Sequence, residues 1–186
     1  MTEKIYGPRE DSFLLKKHVK KNVKGIVLDI GTGSGIQALE AASSKKVVKV
    51  YAVDINSKAI DYCRDNIDNK KIVFLTSDLF QVFKVDQRYQ NLKFDTIIFN
   101  PPYLPTEKPK DIALDGGKKG YELICRFLNE AEPFLKPKTK ILIVFSSLTG
   151  KEQLEKYLSE HYFKFKELEK KHIFFEDLFV YLIEKG

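Results

Sequence analysis

The chain has 186 residues, 43% of them hydrophobic and 31% charged, which is typical of one ordinary globular domain and not of a disordered or fibrous protein. Its net charge of +6 leaves a polyanionic partner open, but only four of its 32 basic residues are arginine, the side chain best suited to contacting phosphate and guanine. The longest apolar run near the C-terminus, residues 178–183, is far too short to span a membrane, so we expect no membrane association.

Short apolar runs alternate with stretches of helical periodicity along most of the chain. Strands are predicted at residues 26–30, 47–53, 71–76, 94–99 and 139–145, and helical patterns at residues 34–43, 60–67, 123–131 and 154–158. This alternation predicts an α/β fold with helices on both faces of a mostly parallel sheet. Residues 79–93 are amphipathic but ambiguous, and no element is predicted there.

The end of the chain departs from this alternation. Two more strands are predicted at residues 162–168 and 177–184, with only a short connection between them. A connection of that length allows antiparallel pairing but no helical crossover. We therefore expect a seven-stranded sheet in which one strand near the C-terminal edge is reversed.

The cysteines and histidines do not have the spacing of metal ligands. Cys63 and Cys125 fall in helix-like patterns, and the three histidines are scattered along the chain. We expect both cysteines to be small buried side chains in a reducing compartment, which favours a cytoplasmic location. No metal site is expected within this chain.

The first predicted strand ends in a glycine-rich turn, Asp29-Ile30-Gly31-Thr32-Gly33-Ser34-Gly35. Glycines here let the backbone turn tightly and approach a ligand closely. A dinucleotide-binding turn would have its third glycine at position 36, which is Ile36, and no Gly-Lys-Ser/Thr sequence of a Walker loop follows. An acid at the strand end repels a pyrophosphate but attracts a sulfonium and an ammonium group, so Asp29 favours S-adenosylmethionine as the ligand.

Acids also follow the second and third strands. Asp54 ends the second strand and can accept hydrogen bonds from both hydroxyls of a ribose. Asp78 follows the third strand and can accept from an adenine amino group, with Ile55 and Leu79 as apolar cover for the ring. Because ligands of open α/β sheets bind at the carboxyl ends of the strands, the three acids together predict one nucleoside site.

The fourth strand is followed directly by Asn100-Pro101-Pro102-Tyr103. The side-chain oxygen of Asn100 and the carbonyl of Pro101 can accept both N–H groups of an amide or ring amino group and orient its nitrogen toward an electrophilic methyl group. Pro101 and Pro102 stiffen the loop, and Tyr103 can pack its ring against a planar amide or base. This tetrapeptide therefore predicts the catalytic centre of an N-methyltransferase.

Together these residues resemble the class I S-adenosylmethionine-dependent methyltransferases that modify amino nitrogens, which have a Rossmann-like fold. Two further segments, Tyr6 to Leu15 and Ala113 to Gly120, are similar to signatures of the short eukaryotic and archaeal branch of the HemK-type enzymes. The resemblance covers nearly the whole chain. It implies that residues 1–186 form a single methyltransferase domain, with residues 1–20 as an N-terminal segment and helix that cover the cofactor.

The resemblance also implies a substrate and a set of roles. The family methylates the glutamine side chain in the Gly-Gly-Gln motif of class I release factors. Asp29, Gly31 and Gly33 would line the methionine end of the cofactor, and the hydroxyl of Ser12 would reach its carboxylate. Asp54 would hold the ribose and Asp78 with Leu79 the adenine, while Asn100, Pro101 and Tyr103 would hold the glutamine.

Members of this branch pair with a small zinc-binding activator subunit, and the resemblance implies such a heterodimer here. Residues 72–75, Ile-Val-Phe-Leu, would form an apolar edge strand, which is a liability unless another subunit, a loop or a helix covers it.

Two alternatives remain beside the release-factor hypothesis. The same tetrapeptide serves methyltransferases of adenine and guanine amino groups, and the chain is basic, although its few arginines disfavour a nucleic-acid substrate. A non-catalytic scaffold with a methyltransferase fold is the other alternative. The presence of all three acids and of residues 100–103 disfavours it.

Overall fold

A computed structural model describes residues 7–102 and 120–186 of the chain. The helices are α1 (Glu10–Asn22), α2 (Ile36–Ala42), α3 (Ser57–Asn66), α4 (Gln81–Val85), α5 (Glu122–Ala131) and α6 (Lys151–Glu160). The strands are β1 (Gly25–Ile30), β2 (Val47–Asp54), β3 (Ile72–Thr76), β4 (Phe94–Phe99), β5 (Leu135–Ser146), β6 (Phe163–Ile173) and β7 (Glu176–Lys185).

The seven strands form one sheet in the order β3-β2-β1-β4-β5-β7-β6. Strands β1 to β5 pair in parallel, whereas β7 pairs antiparallel with both β5 and β6. Strand β7 is therefore the one reversed strand, next to the C-terminal edge. The predicted seven-stranded, mostly parallel Rossmann-like sheet is confirmed.

Each face of the sheet is covered by three helices. Buried residues of α1, α2 and α3 share one core with one face of the sheet, and those of α4, α5 and α6 share a second core with the other face. Because side chains alternate along a strand, the neighbours Ile97 and Ile98 of β4 lie in opposite cores. Both are completely buried. The expectation of helices on both faces is confirmed.

Strand β5 begins four residues before the predicted start at position 139. Its register with β4 shifts between Phe94 and Thr96, and Lys138 has a positive φ of 67°. The side chain of Thr139 spans this irregularity, because its hydroxyl donates to the carbonyl of Phe94 at 2.7 Å and accepts from the N–H of Lys136 at 2.7 Å. A bulge of this kind interrupts the alternation of side chains, so periodicity does not reveal the early residues of the strand.

The ambiguous segment 79–93 contains the short helix α4 and a 3₁₀ turn at Gln87–Tyr89. Among the described residues, no helix combines the length and apolar character that crossing a bilayer requires.

Helix α1 is fastened to the far edge of the sheet. His18 Nε2 lies 2.7 Å from Glu169 Oε2 on β6, and Lys17 Nζ lies 3.0 Å from the other carboxylate oxygen. Leu14, Leu15 and Val19 fill the core beneath the helix. These contacts place the start of α1 at the end of the sheet where β4 finishes.

Candidate active site

The carboxyl ends of β1 to β4 lie side by side because these strands are parallel neighbours. The N–H of Thr32 donates to the carbonyl of Val53 at 3.0 Å, and the N–H of Ser77 donates to the carbonyl of Asp54 at 2.9 Å. These bonds connect the loops that follow β1, β2 and β3 to one another. The structure thus brings the residues Asp29, Asp54, Asp78 and Asn100 together at the end of the sheet where the parallel strands finish.

The turn between β1 and α2 requires its glycines. Gly31, Gly33 and Gly35 have φ angles of 64°, 52° and 80°, in the left-handed region that costs other residues energy. At Gly35 a Cβ atom would also lie 2.5 Å from the Cδ1 atom of Ile67. The backbone therefore turns sharply over the end of β1 and leaves Gly31 exposed at the sheet edge.

Asp54 is tied into this turn by backbone donors. Its Oδ2 accepts from the N–H of Gly33 and its Oδ1 from the N–H of Asn56, both at 2.9 Å. Burial raises the pKa of Asp54 above its ordinary value, while the bonds from Asn56, Gly33 and Ile55 act in the opposite direction. The carboxylate is therefore held in one orientation at the end of β2.

Asp29 is almost fully buried at the end of β1, with 1% of the residue exposed. Its Oδ2 accepts from the hydroxyl of Thr32 at 2.7 Å. Burial raises the pKa of Asp29 to about 7, although bonds from Thr32 and from the backbone of Ala38 lower it, and the charge of Asp54 raises it further. A positive charge nearby would therefore favour the ionised form of Asp29.

Neither Asp29 nor Asp54 forms an ion pair with a lysine or arginine among the described residues. The nearby thiol of Cys63 donates to the carbonyl of Gly33 at 3.3 Å, and burial, together with the charges of both acids, raises its pKa to about 12. The thiol thus stays neutral. The buried Asp29 and the half-buried Asp54 fit a ligand with a cationic group, such as the sulfonium or ammonium of S-adenosylmethionine.

The three predicted adenine contacts lie beside one another but differ in exposure. Ile55 is 48% exposed, as apolar cover for a ligand must be, whereas Leu79 is 6% exposed and belongs to the core beneath the sheet. Asp78 is half-exposed, and its Oδ2 accepts from Arg126 on α5 at 2.8 Å. A carboxylate has acceptor capacity for more than one donor, so this ion pair leaves Asp78 able to bind an amino group.

Asn100 stands directly after β4 with its side chain fixed by the start of α1. Its Nδ2 lies 3.3 Å from Asp11 Oδ2 and 3.3 Å from Ser12 Oγ. Its Oδ1 is buried, and no donor among the described residues bonds to it. Because a buried acceptor without a partner is costly, this oxygen, like Oε1 of the nearby Gln37, is prepared to receive a donor from a ligand.

The structure describes only part of the rest of the tetrapeptide. Pro101 is buried and Pro102 half-buried, whereas Tyr103 lies outside the described residues, as do residues 113–119 of the second signature segment. The predicted role of Tyr103 therefore stays a prediction.

Ser12 is buried against the catalytic loop, and its hydroxyl donates to Asp11 Oδ1 at 3.2 Å. Its predicted contact with the cofactor carboxylate stays a prediction. Two neighbours of Ser12 were not predicted from the sequence: Asp11, and Gln37, whose Nε2 donates to the carbonyl of Ser12 at 2.8 Å. Asp11 lies inside the N-terminal signature, which was a usable signal. For Gln37 no signal in the sequence marks the contact.

The family described as Methyltransferase small domain matches residues 10–175 of this chain. A protein of Methanocaldococcus jannaschii with the provisional name protein N5-glutamine methyltransferase is 37% identical over 184 residues, which cover 95% of this chain and 89% of that one.

More distant relatives are longer. A release factor glutamine methyltransferase of Rhodopirellula baltica is 31% identical over 89% of this chain, but the match spans only 62% of its own length. In fold, the chain is similar to a solved structure from E. cuniculi, described as the Mtq2–Trm112 complex that methylates the termination factor eRF1. The TM-score is 0.74 at 23% identity, with 97% of this chain and 98% of that chain covered.

Proposed function

We propose that this chain, which belongs to the methyltransferase small domain family, methylates the side-chain amide nitrogen of the glutamine in the Gly-Gly-Gln motif of a class I release factor. The observation that carries the proposal is the buried Oδ1 of Asn100 at the end of β4, which has no hydrogen-bond partner in residues 7–102 and 120–186. When bound, S-adenosylmethionine supplies an electrophilic methyl group. The chain's own residues then have to hold and orient the nucleophilic nitrogen.

An amide nitrogen is a poor nucleophile because its lone pair is delocalised into the carbonyl group. Asn100 Oδ1 accepts one N–H of the substrate amide, and the carbonyl of Pro101 accepts the other. Two fixed acceptors aim the nitrogen and stabilise the positive charge that develops on it. The methylated nitrogen is acidic and loses its proton readily, so no strong general base is needed before attack.

The cofactor roles follow the positions of the acids. Asp29 with Gly31 and Gly33 holds the methionine end, because the buried Asp29 carboxylate favours a cationic neighbour. Asp54 holds the ribose, and its orientation by two backbone N–H groups supports this role. The remaining contacts are Asp78, Leu79 and Ile55 at the adenine and Ser12 at the cofactor carboxylate. Ser12 can donate to that carboxylate only when its hydroxyl leaves Asp11 Oδ1.

The choice of glutamine over a nucleic-acid base rests on the relatives. Both curated proteins compared above are named as glutamine methyltransferases, and one of them is matched along nearly its whole length. A nucleic-acid substrate remains the alternative, which the fold alone does not separate from a protein substrate. A cytoplasmic location follows from a substrate that acts in translation.

A small zinc-binding activator subunit is part of the proposal. Strand β3 is one edge of the sheet, and its side chains alternate between buried Ile72 and Phe74 and half-buried Val73 and Leu75. The side chain of Arg64 donates to the carbonyl of Phe74 at 2.8 Å. An apolar strand at the edge of a sheet, with half-buried Val73 and Leu75, is suited to pairing with a partner.

The substrate is tested by incubating the chain and the co-expressed small subunit with labelled S-adenosylmethionine. One reaction contains a release factor, a second the same factor with its motif changed to Gly-Gly-Asn, and a third bulk RNA and DNA. We expect label only in the Gly-Gly-Gln factor. Label that appears in nucleic acid alone would overturn the proposal.

The partner is tested by co-purification with the small subunit. Changing both Val73 and Leu75 to lysine places charges along the edge strand and is expected to abolish the complex. The matched control changes Val48, an exposed residue of β2, to lysine and should leave the complex intact. Retention of the complex by the double variant would place the partner on another surface.

A further inference from the structure

We propose that Asp11 is a positioning residue that fixes the direction of the Asn100 side-chain amide and so keeps Oδ1 turned toward the substrate. This inference rests on the proposed function, since it concerns the atom that would accept the amide N–H. The side-chain amide of asparagine has an acceptor oxygen, Oδ1, on one side and a donor nitrogen, Nδ2, on the other. Its direction decides whether the site offers an acceptor or a donor.

The geometry engages both hydrogens of the Asn100 amide nitrogen. One is directed to Asp11 Oδ2 and the other to Ser12 Oγ, each at 3.3 Å. The hydroxyl of Ser12 in turn donates to Asp11 Oδ1 at 3.2 Å. The Asp11 carboxylate is therefore linked to the Asn100 amide nitrogen in two ways, by a direct hydrogen bond and by a chain of two hydrogen bonds through Ser12.

The chemistry of Asp11 excludes the reversed amide. An ionised carboxylate only accepts hydrogen bonds, so a rotated Asn100 would set its carbonyl oxygen against Asp11 Oδ2 with no hydrogen between them. The reversed amide would also present its NH₂ group to the donor groups of the substrate. Asp11 thus selects the one orientation in which Asn100 can accept.

A charged acceptor on Nδ2 has a second effect. Hydrogen bonds in a chain polarise one another, so a carboxylate on the nitrogen end makes the oxygen end of the same amide a stronger acceptor. The positive charge that develops on the substrate nitrogen is then stabilised through Asn100. Asp11 acts on the reaction without touching substrate.

The start of α1 is held so that Asp11 keeps this position. Asp11 is 4% exposed and Ser12 3% exposed, and the carbonyl of Ser12 accepts from Gln37 on α2 at 2.8 Å. Further along the helix, His18 and Lys17 bind Glu169. Helix α1 therefore serves as a rigid support for the catalytic asparagine.

The test is the variant Asp11→Asn, which keeps the shape of the side chain but can donate to a reversed Asn100. Measured on the Gly-Gly-Gln factor with the small subunit present, kcat is expected to fall about 10- to 100-fold, the size of loss that misplacing a reacting group produces. The KM for the factor and the cofactor Kd should change little. The control Glu10→Gln alters an exposed acid one residue away and should leave kcat unchanged.

A second pair of variants guards against misfolding of Asp11→Asn. Ser12→Ala removes one of the two acceptors of Nδ2 and should lower kcat, whereas Ser12→Thr keeps the hydroxyl and should restore it. Both are measured at saturating cofactor, because Ser12 also has a proposed contact with the cofactor. A kcat for Asp11→Asn equal to that of the wild type would overturn the proposal. So would a loss of kcat accompanied by an equal loss of cofactor binding, since that outcome indicates a purely structural role.

Failure of the proposed function is recognised separately. If the proposed function is wrong, the wild type does not methylate the Gly-Gly-Gln factor, and kcat cannot be used to test Asp11. The side-chain NH₂ of Asn100 is then observed directly by NMR in ¹⁵N-labelled protein. We expect both amide protons to be protected from solvent exchange in the wild type and exposed in Asp11→Asn. Equal exchange in the two proteins would refute the role of Asp11 whatever the substrate is.

Discussion

Gly33 donates its backbone N–H to the carboxylate of Asp54 at 2.9 Å, so the glycine-rich turn after β1 and the end of β2 form one rigid unit. The other oxygen of the same carboxylate accepts from Asn56. Two backbone donors on one side chain leave its outer lone pairs pointing away from the turn. A ligand bound at the sheet edge would meet them there.

Asp54→Asn is expected to weaken cofactor binding about tenfold or more, which corresponds to about 1.4 kcal/mol. The amide has only one acceptor oxygen for two backbone N–H groups, so its NH₂ would oppose one of them and the side chain would turn. Isothermal titration calorimetry measures the change. Asp65→Asn, an exposed acid on α3, is the matched control and should bind as the wild type does.

Cofactor binding should depend on pH because of Asp29. Its pKa of about 7 in the free protein means that the carboxyl group is protonated at lower pH, and a cationic ligand favours the ionised form. Affinity is therefore expected to be constant above about pH 8 and to fall by up to about tenfold per pH unit below pH 7. Binding titrations from pH 5.5 to 8.5 test this.

The variant Asp29→Asn serves as the control for that pH dependence. It should bind the cofactor weakly at all pH values, with a flat profile over the same range. A sloping profile in the variant would assign the titration to another group.

The same burial makes Asp29 destabilising when no ligand is bound. A carboxyl group whose pKa rises from 3.8 in the unfolded chain to about 7 in the fold binds protons more tightly in the native state. The free energy of unfolding is therefore expected to decrease as pH rises from about 4 to about 7 and to stay low above that. Asp29→Asn should remove this penalty.

The measurement is thermal unfolding of the cofactor-free protein at pH 5 and pH 8. The wild type should lose more stability than Asp29→Asn between these two values. An Asp29→Asn protein that is less stable than the wild type at pH 8 would show that the Thr32 bond outweighs the cost of burying the charge.

Asn100→Ala should separate catalysis from cofactor binding. Removal of one preorganised group that stabilises developing charge typically costs about 100- to 1,000-fold in kcat. The cofactor Kd should stay within about threefold, less than 1 kcal/mol, because the acids at β1, β2 and β3 remain. Single-turnover transfer of labelled methyl, together with calorimetry, separates the two quantities. An equal loss of both would assign Asn100 to the cofactor instead of the substrate amide.

Much of the fold followed from local patterns. The strands at residues 94–99 and 47–53 were predictable because apolar β-branched runs end in Asn-Pro or Asp. The reversed β7 was predictable because the short connection between the two predicted strands, residues 169–176, cannot hold a crossover helix. In the structure β6 runs on to Ile173 and the connection is shorter still. The early start of β5 was not predictable. It depends on Thr139 bridging to Phe94, a partner 45 residues away, and such a contact leaves no periodicity.

The acids and the glycines of the site were visible in the sequence because their chemistry belongs to the residue and the topology of parallel strands brings their ends together. The protonation behaviour of the acids could not be predicted from the sequence. The raised pKa of Asp29 results from burial beneath α2 and from the nearby Asp54, which only the packed fold produces. The pairing of Asp78 with Arg126 likewise joins residues 48 positions apart.

The sequence by itself determined that this chain would build a mostly parallel sheet with a glycine-rich turn and three acids at its carboxyl end, because those features depend on residue type and short-range spacing. The same reasoning placed the Asn-Pro-Pro-Tyr segment directly after the fourth strand. Only the tertiary structure decided which end of the Asn100 amide contacts Asp11 and Ser12. That choice depends on Asp11 and Ser12, which stand nearly ninety residues earlier and reach Asn100 because α1 packs across the sheet. The hydrogen bonds of Asn100 are therefore set by long-range packing and cannot be predicted from a local sequence pattern.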